Sequence, residues 1–169
     1  MIDGCLKSKL NYMKVAEKRS LDKAWIYFSA LFVLFTGLDQ LSKWWALATL
    51  DETKRTDFGF EITYNTGIAF GIDLPTWAIW VVTVLVLGIG SWLVYENKLW
   101  RDKWHLTGLA LLVAGAIGNL IDRVRLGYVV DFIKFYWWPN FNLADVWIVM
   151  AVVVLMYEFL IREDAVSEI

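Results

Sequence analysis

Between Leu74 and Tyr95 the chain runs for 22 residues without a charged side chain. Wound as a helix at 1.5 Å per residue, such a run is about 33 Å long, enough to cross a hydrocarbon core of about 30 Å. In that medium every backbone N–H and C=O has to be satisfied inside the segment, so the run is expected to be a transmembrane helix. Pro75 stands at its start, where a helix tolerates the missing N–H.

Three further stretches read the same way, at about 24–50, 106–123 and 145–161. With 59% hydrophobic residues and 11 Trp and a mean hydropathy of +0.50, the chain is too apolar for a soluble domain of its size. The expected fold is therefore membrane all-α, a four-transmembrane-helix bundle forming one domain over 24–163. A polar tail, 1–23, precedes it and a short tail, 164–169, follows. Six Lys or Arg in the first tail, three in the link that holds Lys98, Arg101 and Lys103, and Arg162 make ten of the 16 basic residues. That excess places both termini on the cytoplasmic side. The 51–73 loop is acidic by contrast and belongs outside, where alternating Phe58, Phe60, Ile62 and Tyr64, the turn residues Asn65-Thr66-Gly67, and Ile68, Phe70 and Ile72 suggest a small β-hairpin over about 56–73. A plain amphipathic loop fits the same pattern.

Several classes drop out early. Mixed charges summing to -2 and the absence of any nucleic-acid motif imply no polyanion partner. The single cysteine, Cys5, rules out an internal disulfide framework and is read as incidental, since no hydrophobic segment precedes it. With His105 the only histidine and no HExxH, no metal and no cofactor are expected. Ala46-Leu47-Ala48 has the form of a signal-peptidase site, but Asp39, Lys43 and Trp44-Trp45 separate it from the apolar run, so the first segment is read as a retained helix.

The polar residues that do occur inside this apolar chain are costly and are functional candidates by default. Asp39 and Lys43 lie four apart on one helix face and can pair, which as a structural ion pair would fix packing. Asn119, Asp122 and Arg123 share one stripe at the outer end of the third span. Asn65 comes from the outer loop, and Asp131, Asn142 and Asp145 come from the stretch VVDFIKFYWWPNFNLAD. The topology gathers all of these at the outer rim. Two carboxylates in one small apolar site tend to hold one proton between them, an acid and a base together. The plainer alternative is that Asp131 and Asp145 are helix or turn caps at the membrane edge.

The ordered set DQLSK (39–43), NTGIAFGI (65–72), AGAIGNLIDR (114–123), VVDFI (129–133) and FNLAD (141–145) closely resembles the lipoprotein signal peptidase, or signal peptidase II, family. The resemblance covers nearly everything from the first span to the end of the fourth. It implies a monomeric aspartyl endopeptidase of the bacterial inner membrane, with a small periplasmic β-sheet and an active site near the periplasmic face. Its partners would be membrane lipids and diacylglyceryl-prolipoprotein substrates, cut just before the lipidated cysteine. By motif position Asp131 and Asp145 would be the catalytic pair, with Asn65, Asn119, Arg123 and Asn142 as supporting, substrate-binding polar residues. Asp39, Lys43 and Asp122 would be structural. Ile68, Ala114 and Val146 stand where the family often has Ala, Gly and Ser, and 13 residues lie between the two aspartates, which bears on the covering of the site and not on the chemistry.

Two other classes remain to be weighed. A proton- or ion-coupled transporter subunit would spread ionisable groups through the membrane depth, often in repeated halves. A non-catalytic assembly or lipid-binding subunit would tolerate loss of either aspartate's acidity.

Overall fold

The structure, a computed structural model, describes residues 2–67, 76–96 and 99–158. Its elements are α1 (Ile2–Thr49), β1 (Phe58–Asn65), α2 (Thr76–Glu96), a 3-10 turn (Leu99–Arg101), α3 (Lys103–Leu126), β2 (Val129–Phe135), β3 (Trp138–Phe141) and α4 (Leu143–Tyr157). α1, α2 and α3 contain runs long and apolar enough to cross a membrane, and α4 is a shorter apolar helix over its 15 described residues. The protein is thus mostly helical, with three to four apolar helices and a small sheet; the end of the fourth expected span, 159–161, lies outside the described residues.

α1 goes further than the expected span. It is one helix of 48 residues, about 72 Å long, and it takes in nearly all of the polar stretch read as a tail. That stretch has no proline and is rich in Lys and Leu, which favour helix in water as well as in lipid. Arg101 holds Glu17 of this extension at 3.0 Å.

α3 is the central helix and packs on both α4 and α1. Its buried residues Gly108, Leu111, Gly115, Gly118 and Asp122 recur every three or four positions, so one face is lined mainly by small side chains. Small residues let backbones approach where lipid supplies no hydrophobic drive between helices. At Gly115 a Cβ would stand 2.4 Å from the Ala144 carbonyl oxygen, and at Gly118 it would stand 2.4 Å from Asp39 Oδ2. Most large side chains of α2, Val84, Leu85 and Ile89 among them, are exposed, as a surface meeting acyl chains requires.

The small sheet has the order β1-β2-β3, both pairs antiparallel. β1 does become a strand, but its observed partner is β2, more than sixty residues away, with Thr63 opposite Asp131 and Asn65 opposite Val129. The second arm of the expected hairpin, Ile68 to Ile72, lies outside the described residues. The β2–β3 hairpin was not foreseen, although Val129-Val130-Asp131-Phe132-Ile133 is rich in the β-branched and aromatic residues that suit a half-buried pleat. Tyr136, at φ 46°, makes its turn, and Pro139 is placed on the edge strand, where no donor is needed. The rings of Trp45, Phe60 and Phe132 meet at 5.3 to 6.4 Å and fasten the sheet to the end of α1.

Candidate active site

Asp131 and Asp145 arrive by different routes. Asp131 is carried on β2, where Val129, Val130, Asp131 and Phe132 are all buried. Asp145 sits in the first turn of α4, whose N-cap is Asn142. Asn142 and Asp145 form a reciprocal capping box: the Asn142 side-chain oxygen accepts the Asp145 N–H at 3.2 Å, and Asp145 Oδ2 accepts the Asn142 N–H at 3.1 Å. The cap that explains Asp145 in the plainer reading is therefore present. The same Asn142, however, donates its Nδ2 to Asp131 Oδ1 at 2.6 Å, so one fully buried asparagine joins both carboxylates.

Two more asparagines complete the frame. Asn65 Nδ2 donates to Asp131 Oδ2 at 2.9 Å, and Asn119 Nδ2 donates to Asp145 Oδ1 at 2.9 Å. Each aspartate thus receives a hydrogen bond on both oxygens, and the donors come from β1, α3 and the start of α4. Asp131, 2% exposed, has its carboxyl pushed up from 3.8 to about 7. Burial is the main cause, the charge of Asp145 adds to it, and the bonds from Asn65 and Asn142 pull the other way.

Arg123 lines the same site from the end of α3. Its Nη2 donates to the Gly67 carbonyl at 2.7 Å and its Nη1 to the Asn119 carbonyl at 3.3 Å, while its buried Nε has no hydrogen-bond partner among the described residues. Behind the pair, Lys43 Nζ stands 3.0 Å from Asp39 Oδ2 and 3.0 Å from Asp122 Oδ2, so the expected Asp39–Lys43 pair is a triad.

Asn65, Asn119, Arg123, Asp131 and Asp145 line a single cavity of about 850 Å³. Its polar wall comes from the sheet and the end of α3, its apolar wall from Ile79 and Val82 of α2, Ala116 of α3, and Ile148 and Val149 of α4. Every residue expected at the site is thus either on the cavity or directly behind it. Three contributors had no role assigned from sequence. Gln40 Nε2 donates to Asp122 Oδ1 at 3.0 Å, Asn140 Nδ2 ties β3 to Thr63 Oγ1 of β1 at 2.6 Å, and the Gly67 carbonyl receives Arg123. Gln40 had a signal, a neutral amide wedged between charges inside a span, whereas the Gly67 carbonyl had none. The Asn142-x-x-Asp145 spacing is itself a capping-box signal.

His105 lies near the start of α3, 14 residues before Asn119 and so about 21 Å away along the helix. It stands 3.8 Å from Asp102 and 4.0 Å from Glu158, remote from the two aspartates.

Comparison with known proteins follows the same outline. Residues 31–161 match the pattern of the family described as signal peptidase (SPase) II. A lipoprotein signal peptidase of Psychromonas ingrahamii is 32% identical over 164 residues, spanning 90% of this chain and 92% of that protein. One of Xanthomonas axonopodis pv. citri is 41% identical over 134 residues, 72% of this chain and 76% of its own length. Among solved structures, a bacterial membrane enzyme determined by the in meso method superposes with a TM-score of 0.70 at 26% identity, covering 79% of this chain and 87% of the other.

Proposed function

Because this chain belongs to the signal peptidase II family, an aspartic-type membrane protease that removes signal peptides from prolipoproteins, we propose that Asp131 and Asp145 are the two carboxylates that do so here. The observation that carries the assignment is the bridge through Asn142, which fastens Asp131 by its side-chain amide and Asp145 by its backbone amide.

The division of labour follows from Asp131. With its carboxyl titrating near 7, about half of it keeps a proton at neutral pH. Protonated Asp131 hydrogen-bonds the scissile carbonyl, and Asp145 takes a proton from the water that attacks it. The tetrahedral intermediate then collapses, the C–N bond breaks, and a carboxyl proton passes to the leaving amine. Neither a metal nor a covalent enzyme intermediate enters this scheme. Arg123, already donating to two backbone carbonyls beside the aspartates, is a fixed cation with which to hold a carbonyl of the bound peptide.

The cavity suits a substrate that comes half from lipid. Its apolar wall on α2, α3 and α4 would take the acyl chains of a diacylglyceryl cysteine, while the sheet side takes the peptide, so that cleavage falls just before that cysteine. Anchoring the lipid positions the peptide bond, a gain of proximity. In this reading the enzyme is a monomer in the bacterial inner membrane with both termini cytoplasmic and the site near the periplasmic face. A transporter relay is disfavoured by α3, where the span between His105 and Asn119 is dominated by Leu, Ala and Gly.

The test is a gel-shift assay with a diacylglyceryl-modified prolipoprotein. Asp131→Asn and Asp145→Asn should each remain inserted and folded and lose cleavage by about 10³-fold or more. Normal processing by either variant would remove the two-aspartate mechanism.

A further inference from the structure

Behind the aspartates lies a buried charge cluster that the catalytic scheme does not use. Lys43 is 2% exposed, Asp39 0% and Asp122 3%, and each of them reaches the site by a separate bond. Asp39 Oδ1 accepts the N–H of Ala144, the residue before Asp145, at 2.9 Å. Asp122 Oδ2 accepts the N–H of Val130, the residue before Asp131, at 3.2 Å. Lys43 donates to Asn119 Oδ1 at 3.0 Å, and Asn119 in turn holds Asp145. Holding helices together would need only the ion pairs, not two carboxylates spent on the backbone amides that precede the two aspartates.

The donor direction gives Lys43 a second consequence. An ammonium has three donors and no acceptor, and here its three partners are all oxygens. The atom that Asn119 turns toward it must be Oδ1, which leaves Nδ2 facing Asp145. That same Oδ1 accepts from Asn142 Nδ2 at 3.1 Å, which orients the amide that bridges to Asp131. Without Lys43, Asn119 Oδ1 loses its charged donor and keeps only the Asn142 bond, so the amide is held less firmly against the Asp145 carboxylate.

We infer that Lys43, clamped between Asp39 and Asp122, is a positioning residue for hydrolysis, setting the spacing and hydrogen-bond polarity of the Asp131–Asp145 pair through Asn119 and through the amides of Val130 and Ala144. This rests on the assignment of those two aspartates as the catalytic pair. Electrostatics adds a readout that packing alone would not move. The groups that face Asp131 are Asn65 of β1, Asn142 and Asp145 of α4, Lys43 of α1 and Arg123 of α3, with Lys134 on its own strand at the cavity edge. The Lys43 charge favours the ionised form of Asp131, so its removal moves the titration of that carboxyl to higher pH.

The experiment compares full-length wild type and Lys43→Met in lipid, with folded protein measured by thermal unfolding and turnover measured across pH on a lipid-modified prolipoprotein. The expected result is a kcat lower by about 10²-fold, an unchanged KM, and an alkaline limb displaced upward. A Lys43→Met enzyme with wild-type kcat and wild-type limb overturns the inference. If that variant yields no folded protein, Asp122→Asn and Asp122→Leu decide the matter. The first keeps an acceptor for Val130 and leaves Lys43 balanced by Asp39, and the second matches the shape with no acceptor. kcat should fall further in Asp122→Leu than in Asp122→Asn at equal KM, and equal kcat in all three enzymes overturns the inference. Asp131→Asn separates the two levels: if it still cleaves, the catalytic pair is wrong, whereas if it is dead while Lys43→Met is normal, only the positioning role fails.

Discussion

Helices α2 and α3 can both span a bilayer, yet 6% of the most apolar window of α2 is buried inside the protein against 44% for α3, and α2 is the more apolar of the two. A water-soluble protein would show the reverse. In lipid an acyl chain contacts valine as well as another helix does, so apolar surface gives no reason to be inside. Burial takes in what the bilayer cannot solvate, the charges of Asp39, Lys43, Asp122 and Asp131, together with the glycines and the apolar residues such as Leu111 and Ala114 that close around them. α3 carries both classes and sits at the centre; α2 has no charge before Glu96 and its glycines Gly88 and Gly90 meet nothing within 4 Å, and it closes one side of the cavity.

The sharpest way to break this comparison is at the polar end of the bundle. Asn142→Leu keeps the branching at Cγ of a fully buried side chain but removes the amide that joins Asp131 to Asp145. Turnover should fall by about 10³-fold, comparable to loss of a general acid or base, and a kinetic assay showing less than a tenfold loss would mean the bridge is dispensable. Next in size is Gly118→Ala. The new methyl would meet Asp39 Oδ2, so the carboxylate must move and its bond to Ala144 with it; the expected loss is about 10²-fold in kcat, read in the same assay.

The pH profile is a smaller effect. Raising the pH through about 7 removes the Asp131 proton, so the rate should fall about tenfold per unit above that point while chemistry limits turnover. The same shift has a sign for stability. A carboxyl held above its ordinary 3.8 binds its proton more tightly folded than unfolded, so its contribution is complete below 3.8 and is lost as pH rises to about 7. Thermal unfolding measured across that window in wild type and Asp131→Asn checks it, the slope being shallower in the variant.

The smallest expected change is on α2. A Cβ at Gly88 meets nothing within 4 Å, so Gly88→Ala should leave cleavage at wild-type level and alter stability by no more than about 1 kcal/mol, in the stabilising direction. Together with Gly118→Ala it forms a matched pair, the same substitution on a lipid-facing and on a central helix. Equal effects at the two sites would contradict the account of which helix is buried and why.

Much of the site could be read from the chain because polar residues are scarce in it. Asp39, Lys43, Asn119, Asp122, Arg123, Asp131, Asn142 and Asp145 stand out against an apolar background, and the i, i+4 spacing of Asp39 and Lys43 already places them together. The long reach of α1 was harder to see, since the residues before Ala24 are polar and hydropathy is silent about helices in water. The strand pairing was harder still. Asn65-Thr66-Gly67 signals a local turn, whereas β1 pairs with a strand that follows two intervening helices.

By itself the sequence determined the membrane-spanning helices, the motifs of the family and the residue types of the site, because hydropathy and helical spacing are local properties of a chain. Which carboxylate is buried on a strand and which caps a helix, which asparagine spans the two, and that Lys43 and Asn142 both donate to the Asn119 side-chain oxygen were decided only by the tertiary structure. The reason is physical: those features depend on donors and acceptors from α1, β1, α3, β2 and α4 meeting within about 3 Å, and no local pattern encodes a distance between elements so far apart in the chain.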